Sequence, residues 1–288
     1  MSETIVAPAK APPYSLTGDY ALTIKHLQVG YGSFVLMRDV NFQVRKKDIF
    51  FIMGGSGCGK STLLHVLMGL LPPQDGKVYF GDVDFWGGTP SLRRDLMRQA
   101  GVLFQSGALW SSMTLAENIA LPLQQYTRLA DAEIRELASL KLALVGLAGF
   151  EDYYPAEISG GMTKRAGIAR ALALDPKILF LDEPSAGLDP VSASLLDELI
   201  QELRDSLDAT FVIVSHELAS IFNIGTNCIF LDVNTRTVTA EGNPTTLLNN
   251  PDTQKEAKLF LTRGGWHKDK HSQSGFPPVH SSSPGEKA

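Results

Sequence analysis

The chain has 288 residues, of which 44% are hydrophobic and 20% are charged, a composition typical of globular proteins that excludes a disordered or fibrous chain. Its formal net charge of −5, from 26 Lys and Arg against 31 Asp and Glu, lacks the basic excess of a general nucleic-acid binder, so we expect no nucleic-acid partner. Two cysteines, Cys58 and Cys228, exclude a disulfide scaffold and are typical of the reducing cytosol, and no apolar run reaches the roughly 20 residues of a membrane-spanning helix.

The N-terminal part of the chain predicts a loose segment followed by strands. Residues 1–18 are rich in Pro, Ala and Ser and lack the features of a secretion signal, so we expect a flexible segment there. Residues 21–29, 34–36, 40–44 and 49–53 form short alternating or β-branched runs separated by Gly, Asp and Lys. This pattern predicts an antiparallel, strand-rich opening.

A glycine-rich segment follows the last of these strands and precedes a helix predicted over 60–68. It fits the phosphate-binding pattern GxxxxGK followed by Ser or Thr, through Gly54, Gly55, Ser56, Gly57, Cys58, Gly59, Lys60, Ser61 and Thr62. In such a loop the backbone amides and the helix N-terminus attract anions, Lys60 reaches the β and γ phosphates, and Ser61 can ligate Mg²⁺. The alternative, a flexible turn, is disfavoured because a strand and a helix frame the segment.

The middle of the chain, residues 106–156, carries helical patterns only and predicts an inserted helical subdomain. One helix is expected over 114–123, with Thr114 as its N-cap, and a second over 131–145. No internal repeat is visible, which argues against a solenoid or a propeller and favours one composite domain.

A short strand predicted over 102–104 ends at Gln105, whose amide could contact both water and Mg²⁺. Three apolar residues follow closely, Leu109, Trp110 and Met113. They either pack in the core or line a groove that receives a helix of a membrane partner, and the sequence leaves both interpretations open.

Residues 159–165, Ser-Gly-Gly-Met-Thr-Lys-Arg, open a helix predicted to run through residue 173. Ser159, Gly160 and Gly161 would offer a hydroxyl and bare amides at its N-terminus, which makes a second anion site. Because the phosphate loop already accounts for one nucleotide, the second site implies a nucleotide approached from another subunit. The sequence therefore predicts a partner like itself.

A buried strand predicted over 178–181 ends in two carboxylates, Asp182 and Glu183. Asp182 could hold Mg²⁺ through water, while Glu183 could point at the water that attacks a γ-phosphate. The other interpretation, an ordinary strand exit that faces solvent, is disfavoured by the phosphate loop upstream.

Buried runs at 210–214 and 228–231 alternate with helical stretches and predict a mostly parallel sheet. His216 follows the first of them, at the carboxyl edge where α/β proteins bind ligands. Residues 264–288 are rich in Ser, Pro, Gly and His and predict a disordered tail. His267, His271 and His280 are too irregularly spaced there to favour a metal cluster.

Taken in order, these motifs resemble the ATP-binding subunits of ABC (ATP-binding cassette) transporters over about residues 22–242. The resemblance implies an α/β fold: a RecA-like P-loop core with an antiparallel β subdomain and the inserted α-helical subdomain, together an ABC ATPase domain at 19–263. It also implies ATP and Mg²⁺ as cofactors, a second copy bound head to tail around ATP, and transmembrane permease subunits as partners.

The same resemblance assigns roles to individual residues. Tyr31 would stack on adenine, Gln105 would be the Q-loop glutamine, residues 159–162 the signature, residues 185–189 the D-loop and His216 the switch histidine. The expected catalytic residues are then Glu183, His216 and Gln105. The expected nucleotide contacts are Tyr31, residues 54–62, Ser159, Gly160, Gly161 and Asp189, and the expected Mg²⁺ ligands are Ser61, Gln105 and Asp182.

Met162 and Ile158 depart from the common signature, which has Gln and Leu at those places. With the segments at 105–118 and 162–172, they make the chain similar to the ATPases of MCE (mammalian cell entry) lipid transporters of the Mla type. That similarity implies phospholipid transport across the Gram-negative envelope, with an MCE-type lipid-binding protein and a STAS-domain subunit as further partners. The chain would then sit at the cytoplasmic face of the inner membrane, held by the permease. An importer for another cargo and a non-transport ABC protein are the alternatives.

Two further expectations concern single residues. Cys58 lies near Lys60 and a helix N-terminus, conditions that lower the pKa of a thiol, so alkylation of Cys58 should block ATP binding unless the residue merely fills a permissive position. Leu259, Phe260 and Trp266 could contact a neighbouring subunit, as the C-terminal extension does in Mla-type ATPases.

Overall fold

The computed structural model describes residues 18–262. Apart from Gly18, the expected flexible N-terminal segment and the expected tail, with Trp266, His267, His271 and His280, lie outside the described residues. The strands are β1 (Tyr20–Tyr31), β2 (Phe34–Arg45), β3 (Ile49–Gly54), β4 (Asp75–Phe80), β5 (Val83–Asp84), β6 (Ala100–Leu103), β7 (Ile178–Asp182), β8 (Thr210–Val214), β9 (Asn227–Asp232) and β10 (Thr237–Gly242). The helices are α1 (Lys60–Leu67), α2 (Pro90–Met97), α3 (Leu115–Tyr126), α4 (Asp131–Leu144), α5 (Gly160–Ala171), α6 (Pro190–Leu207), α7 (Leu218–Ile224), α8 (Pro244–Asn249) and α9 (Lys255–Thr262).

The larger sheet brings several strand ends to one edge. Its six strands are ordered β10-β9-β3-β8-β7-β6, with β9, β3, β8, β7 and β6 parallel and β10 antiparallel to β9. Every residue of β3, β7 and β8 is buried, as expected of parallel strands covered on both faces. The predicted parallel α/β sheet is confirmed, and the carboxyl ends of β3, β7 and β8 form the edge at which a ligand would bind.

Alternate residues of β3 separate two hydrophobic cores. Ile49, Phe51 and Met53 face a core shared with the helices of the middle segment, whereas Phe50 and Ile52 face a core shared with α1 and the smaller sheet. All five side chains are at most 1% exposed, and the burial of each stabilises the fold by roughly 1.5–3 kcal/mol. Because both faces of the sheet are packed, the loops at its edge are anchored to a rigid frame.

The smaller sheet is antiparallel in the order β2-β1-β4-β5. The sequence predicted two strands at 34–36 and 40–44, but β2 is continuous over Phe34–Arg45. The register moves from Leu27 opposite Val40 to Val29 opposite Met37, so one extra residue of β2 bulges out, with Asp39 in the left-handed region at φ 49°. The bulge interrupts the alternation that marks a strand, which explains the wrong boundary.

The middle of the chain forms two helices, as predicted, with small differences in their ends. Thr114 caps α3: its hydroxyl accepts from the amide of Glu117 at 3.2 Å, and the Glu117 carboxylate accepts from the amide of Thr114 at 2.7 Å. The helix continues through Pro122 to Tyr126, beyond the predicted end at 123, and α5 ends at Ala171 rather than at 173. Residues of α3, α4 and α5 share one core, and the boundaries 106–156 of the helical subdomain stay a prediction.

Within residues 18–262, no helix combines the length and the apolar character that crossing a membrane would require.

Candidate functional site

The phosphate loop, residues 54–62, connects the end of β3 to α1 at the carboxyl edge of the larger sheet. Gly59 is the N-cap of α1 in a left-handed conformation, with φ 99° and ψ 18°. The backbone conformation requires glycine, and a Cβ there would also push on the ends of two side chains, 2.8 Å from Cδ2 of Leu36 and 3.0 Å from Cε of Met37. The helix therefore begins at Lys60 with its free amides facing the loop.

Lys60 and Ser61 form the polar contacts of this loop. The ammonium of Lys60 donates to the carbonyl oxygens of Gly54, at 3.0 Å, and Gly55, at 3.1 Å, so it lies back along the loop. The hydroxyl of Ser61 donates to Oδ1 of Asp182, at 3.3 Å, which joins α1 to the end of β7. A cation beside a nest of amides suits a polyphosphate, and a hydroxyl next to a carboxylate supplies the oxygen ligands that Mg²⁺ prefers.

Glu183 follows β7 in a left-handed backbone conformation, with φ 47°, and is 9% exposed. Its amide donates to the carbonyl of Val214 at 2.9 Å, and its Oε1 lies 2.8 Å from Nδ1 of His216. Its Oε2 is buried and has no hydrogen-bond partner among the described residues. A carboxylate oxygen buried in this way is costly, and one that faces a ligand site is a natural acceptor for water. The predicted neighbours Asp182, Glu183 and His216 therefore meet at one place.

The segment after β6 reaches the same place through its main chain. β6 covers Ala100–Leu103, so it begins two residues and ends one residue before the predicted strand at 102–104, and Gln105 lies in the turn that follows, with an exposed side chain. The carbonyl of Gln105 accepts a hydrogen bond from the buried ammonium of Lys164, which also donates to the carbonyl of Glu183 at 3.3 Å. Lys164 did not emerge from the sequence analysis, because a lysine on a helix is indistinguishable there from a solvated one.

Tyr31 lies on a hairpin beside the phosphate loop. It is 55% exposed and is paired across the hairpin with Phe34, which is 54% exposed. The guanidinium of Arg236 lies 5.6 Å from the ring centre of Phe34 and donates to the carbonyl of Val35 at 3.0 Å. Two exposed aromatic faces on one side of a strand pair suit the stacking of a base, and sequence analysis found only the first of them.

The predicted second anion site stands at the N-terminus of α5. Ser159 is its N-cap and accepts from the amide of Met162 at 3.3 Å, while Gly160 is exposed. Within residues 18–262, no hydrogen bond joins residues 159–161 to residues 54–62 of the same chain. The two segments predicted to bind anions are thus separate within one chain, and anion binding at residues 159–161 stays a prediction.

Asp189 caps α6 and stands close to the second anion site. Its Oδ1 accepts from the amides of Val191 and Ser192, both at 3.0 Å, and the Ser192 hydroxyl donates to its Oδ2. These hydrogen bonds, led by that of the Ser192 hydroxyl, lower the pKa of Asp189. In this structure both carboxylate oxygens of Asp189 accept hydrogen bonds from α6. A nucleotide contact by Asp189 stays a prediction.

The lowered pKa expected for the Cys58 thiol is wrong, and the alternative, a residue that fills a permissive position, is favoured. The thiol is 4% exposed, and its burial raises the pKa of Cys58, outweighing the opposite effect of Lys60. Its Sγ fills the space above Gly54, where a Cβ would lie 2.6 Å away. Cys58 is therefore a packing residue of the loop rather than a reactive thiolate.

A cavity of about 620 Å³ lies between α2, β6, α3 and α5, and none of its lining residues belongs to the phosphate loop. Trp110 lines it with 60% of its surface exposed, whereas Leu109 packs partly into the core. Met113 lines an adjoining cavity of about 510 Å³. Four arginines, Arg93, Arg94, Arg98 and Arg170, complete the wall of the larger cavity. Of the three apolar residues, Leu109 therefore packs partly into the core, whereas Trp110 and Met113 line the cavities.

A family model described as "ABC transporter" matches residues 37–186. Among curated proteins, the chain is 36% identical over 231 residues to the "Intermembrane phospholipid transport system ATP-binding protein MlaF" of Haemophilus influenzae, which covers 80% of this chain and 87% of that protein. It is 42% identical over 198 residues to the "Probable ribonucleotide transport ATP-binding protein mkl" of Mycobacterium leprae, over 69% of this chain. The match spans 57% of that mycobacterial protein, little more than half of its length.

Among solved structures, the chain resembles the "ATP-binding cassette MJ0796", described as a dimer in a post-hydrolysis state bound to ADP and Pi. The TM-score is 0.69 at 28% sequence identity, over 77% of this chain and 98% of that one. The predicted fold class, a P-loop core with an antiparallel sheet and a helical segment, is confirmed by this likeness and by the two sheets described above.

Proposed function

This chain belongs to the ABC transporter family, and from that premise we propose that it is the ATP-hydrolysing subunit of a transporter that moves phospholipid. The single observation that carries hydrolysis is the buried, unpartnered Oε2 of Glu183, next to a phosphate loop and to the Ser61–Asp182 pair. An oxygen in that position is ready to accept a proton from water at the one place where the loop would present a γ-phosphate.

Nucleotide binding is supported by the loop and its flanking residues. Residues 54–62 would hold the phosphates through their amides, and Lys60 would exchange its contacts with the carbonyls of Gly54 and Gly55 for phosphate oxygens. Tyr31 would stack on the adenine. Ser61 and Asp182, already within 3.3 Å of each other, would hold Mg²⁺ together with the Gln105 side chain, and Mg²⁺ would neutralise charge that develops on the phosphates.

Glu183 and His216 would then act on the attacking water. With Glu183 ionised, its oxygens can only accept, so Nδ1 of His216 donates to Oε1 and fixes the carboxylate, which leaves Oε2 for the water. The left-handed backbone of Glu183 adds to this fixation, since the side chain starts from a backbone held by Val214. The pair would therefore orient the water and receive its proton.

A second copy of the chain would complete the site. Ser159, Gly160 and Gly161 of one protomer would cap the ATP held on residues 54–62 of the other, in a head-to-tail dimer. Support comes from the separation of the two anion sites within one chain and from the likeness to a cassette described as dimeric. Hydrolysis would remove contacts that hold the two copies together, so the closed state would depend on intact ATP.

The cargo and partners rest on similarity to named relatives and on the groove. The likeness to MlaF, named for intermembrane phospholipid transport, favours phospholipid as cargo. The partners we propose are those that the sequence resemblance implies: a permease, an MCE-type lipid-binding protein and a STAS-domain subunit, at the cytoplasmic face of the inner membrane. The groove lined by Trp110 would receive a cytoplasmic helix of the permease. The likeness to mkl, named for ribonucleotide transport, favours another cargo as the second candidate.

The proposed role of Glu183 is tested by the kcat and the ATP affinity of the variant Glu183→Gln. The variant should lower kcat for ATP by about 10²–10⁴, since it removes the base, while the affinity for ATP changes little. A purified wild-type chain without ATPase activity, or a variant as fast as the wild type, would contradict the assignment.

The cargo is tested by purification of the tagged chain from its host membrane, followed by identification of the co-eluting subunits and lipids. Co-elution of a permease, an MCE-domain protein and phospholipid is the expected result. Co-elution with the subunits of a system for a soluble cargo would favour the second candidate.

A further inference from the structure

Lys164 is a buried lysine whose hydrogen-bond partners are main-chain carbonyls. It lies in α5, is 6% exposed, and donates to the carbonyl oxygens of Gln105 and Glu183. Within residues 18–262, none of the ion pairs involves it. Burial lowers the pKa of Lys164, and the charges of Asp182 and Glu183 oppose that shift. Burying an ammonium without a carboxylate partner destabilises the fold. We therefore look for a functional role of Lys164 in the two segments whose carbonyls it contacts.

The carbonyl of Glu183 belongs to the most constrained peptide of the site. The residue adopts φ 47°, a region that side chains other than glycine rarely enter. Its amide is held by the carbonyl of Val214 at 2.9 Å, and its carbonyl is held by Lys164 at 3.3 Å. The backbone on both sides of the carboxylate is therefore anchored, and the direction of Oε2 depends on both anchors.

The carbonyl of Gln105 fixes the other segment. The Gln105 side chain is exposed in the turn after β6, and Lys164 holds the main chain of that turn. The same turn is tied to α5 a second time, because Arg170 donates to the carbonyls of Ala108, at 2.6 Å, and Gly107, at 3.1 Å. Two cations of one helix thus secure the turn, but only Lys164 also reaches Glu183.

We propose that Lys164 is a positioning residue that links the helix beginning at the signature segment, residues 159–162, to Glu183 and to the Gln105 turn. The inference rests on the proposed function. In the proposed dimer, Ser159 at the start of α5 caps the nucleotide of the partner, while Glu183 acts on the nucleotide of its own chain. Lys164 lies on that helix between the two sites, so it transmits the docking of α5 against one ATP to the carboxylate that acts on the other.

The test is Lys164→Met in the full chain, a change that keeps an unbranched side chain of nearly the same length and removes its hydrogen-bond donors. We expect kcat for ATP to fall by about 10- to 10²-fold, as for a catalytic group displaced by about 1 Å. The KM for ATP and the affinity for a fluorescent ATP analogue should change by less than about threefold, because the phosphate loop is untouched.

Lys141→Met is the matched control. Lys141 is 4% exposed, and its ammonium lies 2.5 Å from Oδ1 of Asp175, outside the nucleotide site. It therefore reports the general cost of losing a buried lysine, and its kcat should stay within about twofold of the wild type. Thermal melts of both variants establish that they fold. If Lys164→Met does not fold, Lys164→Gln replaces it, since its amide can donate to one carbonyl and should give an intermediate kcat.

A folded Lys164→Met, or Lys164→Gln in its place, with the kcat of the wild type overturns the inference and leaves the proposed function intact. An equal loss in Lys141→Met, or a loss of ATP affinity as large as the loss of kcat, also overturns it, because either result indicates a structural role. A wild-type chain that does not hydrolyse ATP overturns both the proposed function and the inference.

Discussion

At the scale of single residues, two groups of the site are suited to bind a ligand: the ammonium of Lys60 and one carboxylate oxygen of Glu183. The Lys60 ammonium rests on two carbonyls of its own loop, and one oxygen of Glu183 has no donor among the described residues. A phosphate would give the ammonium charge-assisted contacts, and a water would give the carboxylate oxygen a donor, so both groups favour binding at this place. This is the physical reason to regard the edge of the larger sheet as a binding site.

Lys60→Ala should act on binding rather than on the chemical step. Removal of a charge-assisted contact to phosphate should raise the Kd for ATP by about 10²-fold, a cost of about 3 kcal/mol. Titration with a fluorescent ATP analogue measures it, and Lys77→Ala serves as the control because Lys77 is an exposed lysine paired with Asp84. An unchanged Kd in Lys60→Ala would mean that the loop does not hold the phosphates.

Some site residues could be predicted from the sequence, and others could not. Asp182, Glu183 and the phosphate loop were predictable because a strand, a loop and a helix that are contiguous in sequence fix their geometry. Cys58 was misjudged because its pKa depends on burial, which the sequence does not display. Lys164 and Phe34 were missed because their partners, the carbonyl of Glu183 and the side chain of Arg236, are distant in the chain.

At the scale of elements, α6 follows the D-loop segment, residues 185–189, and α7 follows His216 after β8. These two helices pack against each other. Asp197 of α6 is 5% exposed, and burial raises its pKa, although hydrogen bonds from the side chains of Ser220 and Asn223 in α7 oppose that shift. Asp189 stands at the start of α6, and His216 comes shortly before α7. The carboxyl group thus lies in the packing between two helices that begin next to proposed site residues.

Asp197→Asn should change how stability depends on pH. In the unfolded chain the carboxyl has a pKa of about 3.9, and in the folded chain its pKa is higher, so between these two values the folded protein binds more protons. The free energy of unfolding of the wild type therefore falls as the pH rises through that window, and asparagine, which does not ionise, removes this loss.

The melting temperature of Asp197→Asn should accordingly gain on that of the wild type as the pH rises above about 3.9, by about 2–4 °C for each kcal/mol of stability that the wild type loses. The gain should level off above the folded pKa. A difference in melting temperature that is the same at every pH would show that folding does not shift the pKa of Asp197.

The elements themselves differ in how far their sequence determines them. β3, β7 and β8 were predicted because strands buried on both faces are continuous apolar runs. β4 and β5 were not identified from the sequence. β4 pairs with β1, from which β2, β3 and α1 separate it in the chain, and its pattern of exposed and buried residues, with exposed Asp75 and Lys77, is short. A strand that is completed by a distant partner leaves only a weak local signal.

At the scale of the whole molecule, the proposed ATP hydrolysis requires two copies of the chain. One chain carries a phosphate loop at the edge of the larger sheet and a second segment proposed to bind an anion at the start of α5, with no hydrogen bond between them in the described residues. Gly160 and Gly161 lie beside the D-loop segment: a Cβ on Gly160 would be 3.8 Å from Leu188, and one on Gly161 would be 3.6 Å from Ser192. The start of α5 therefore packs against the D-loop segment and the start of α6, where we expect a second nucleotide-bound copy to approach.

The central claim, that ATP is held between two copies of this chain, is tested most directly by the mass of Glu183→Gln in solution. Size-exclusion chromatography with light scattering should give twice the mass of one protomer when the variant is saturated with Mg²⁺ and ATP. The same variant with ADP should give the mass of a single protomer, because the contacts to the γ-phosphate are absent. A single-protomer mass at saturating ATP would contradict the account.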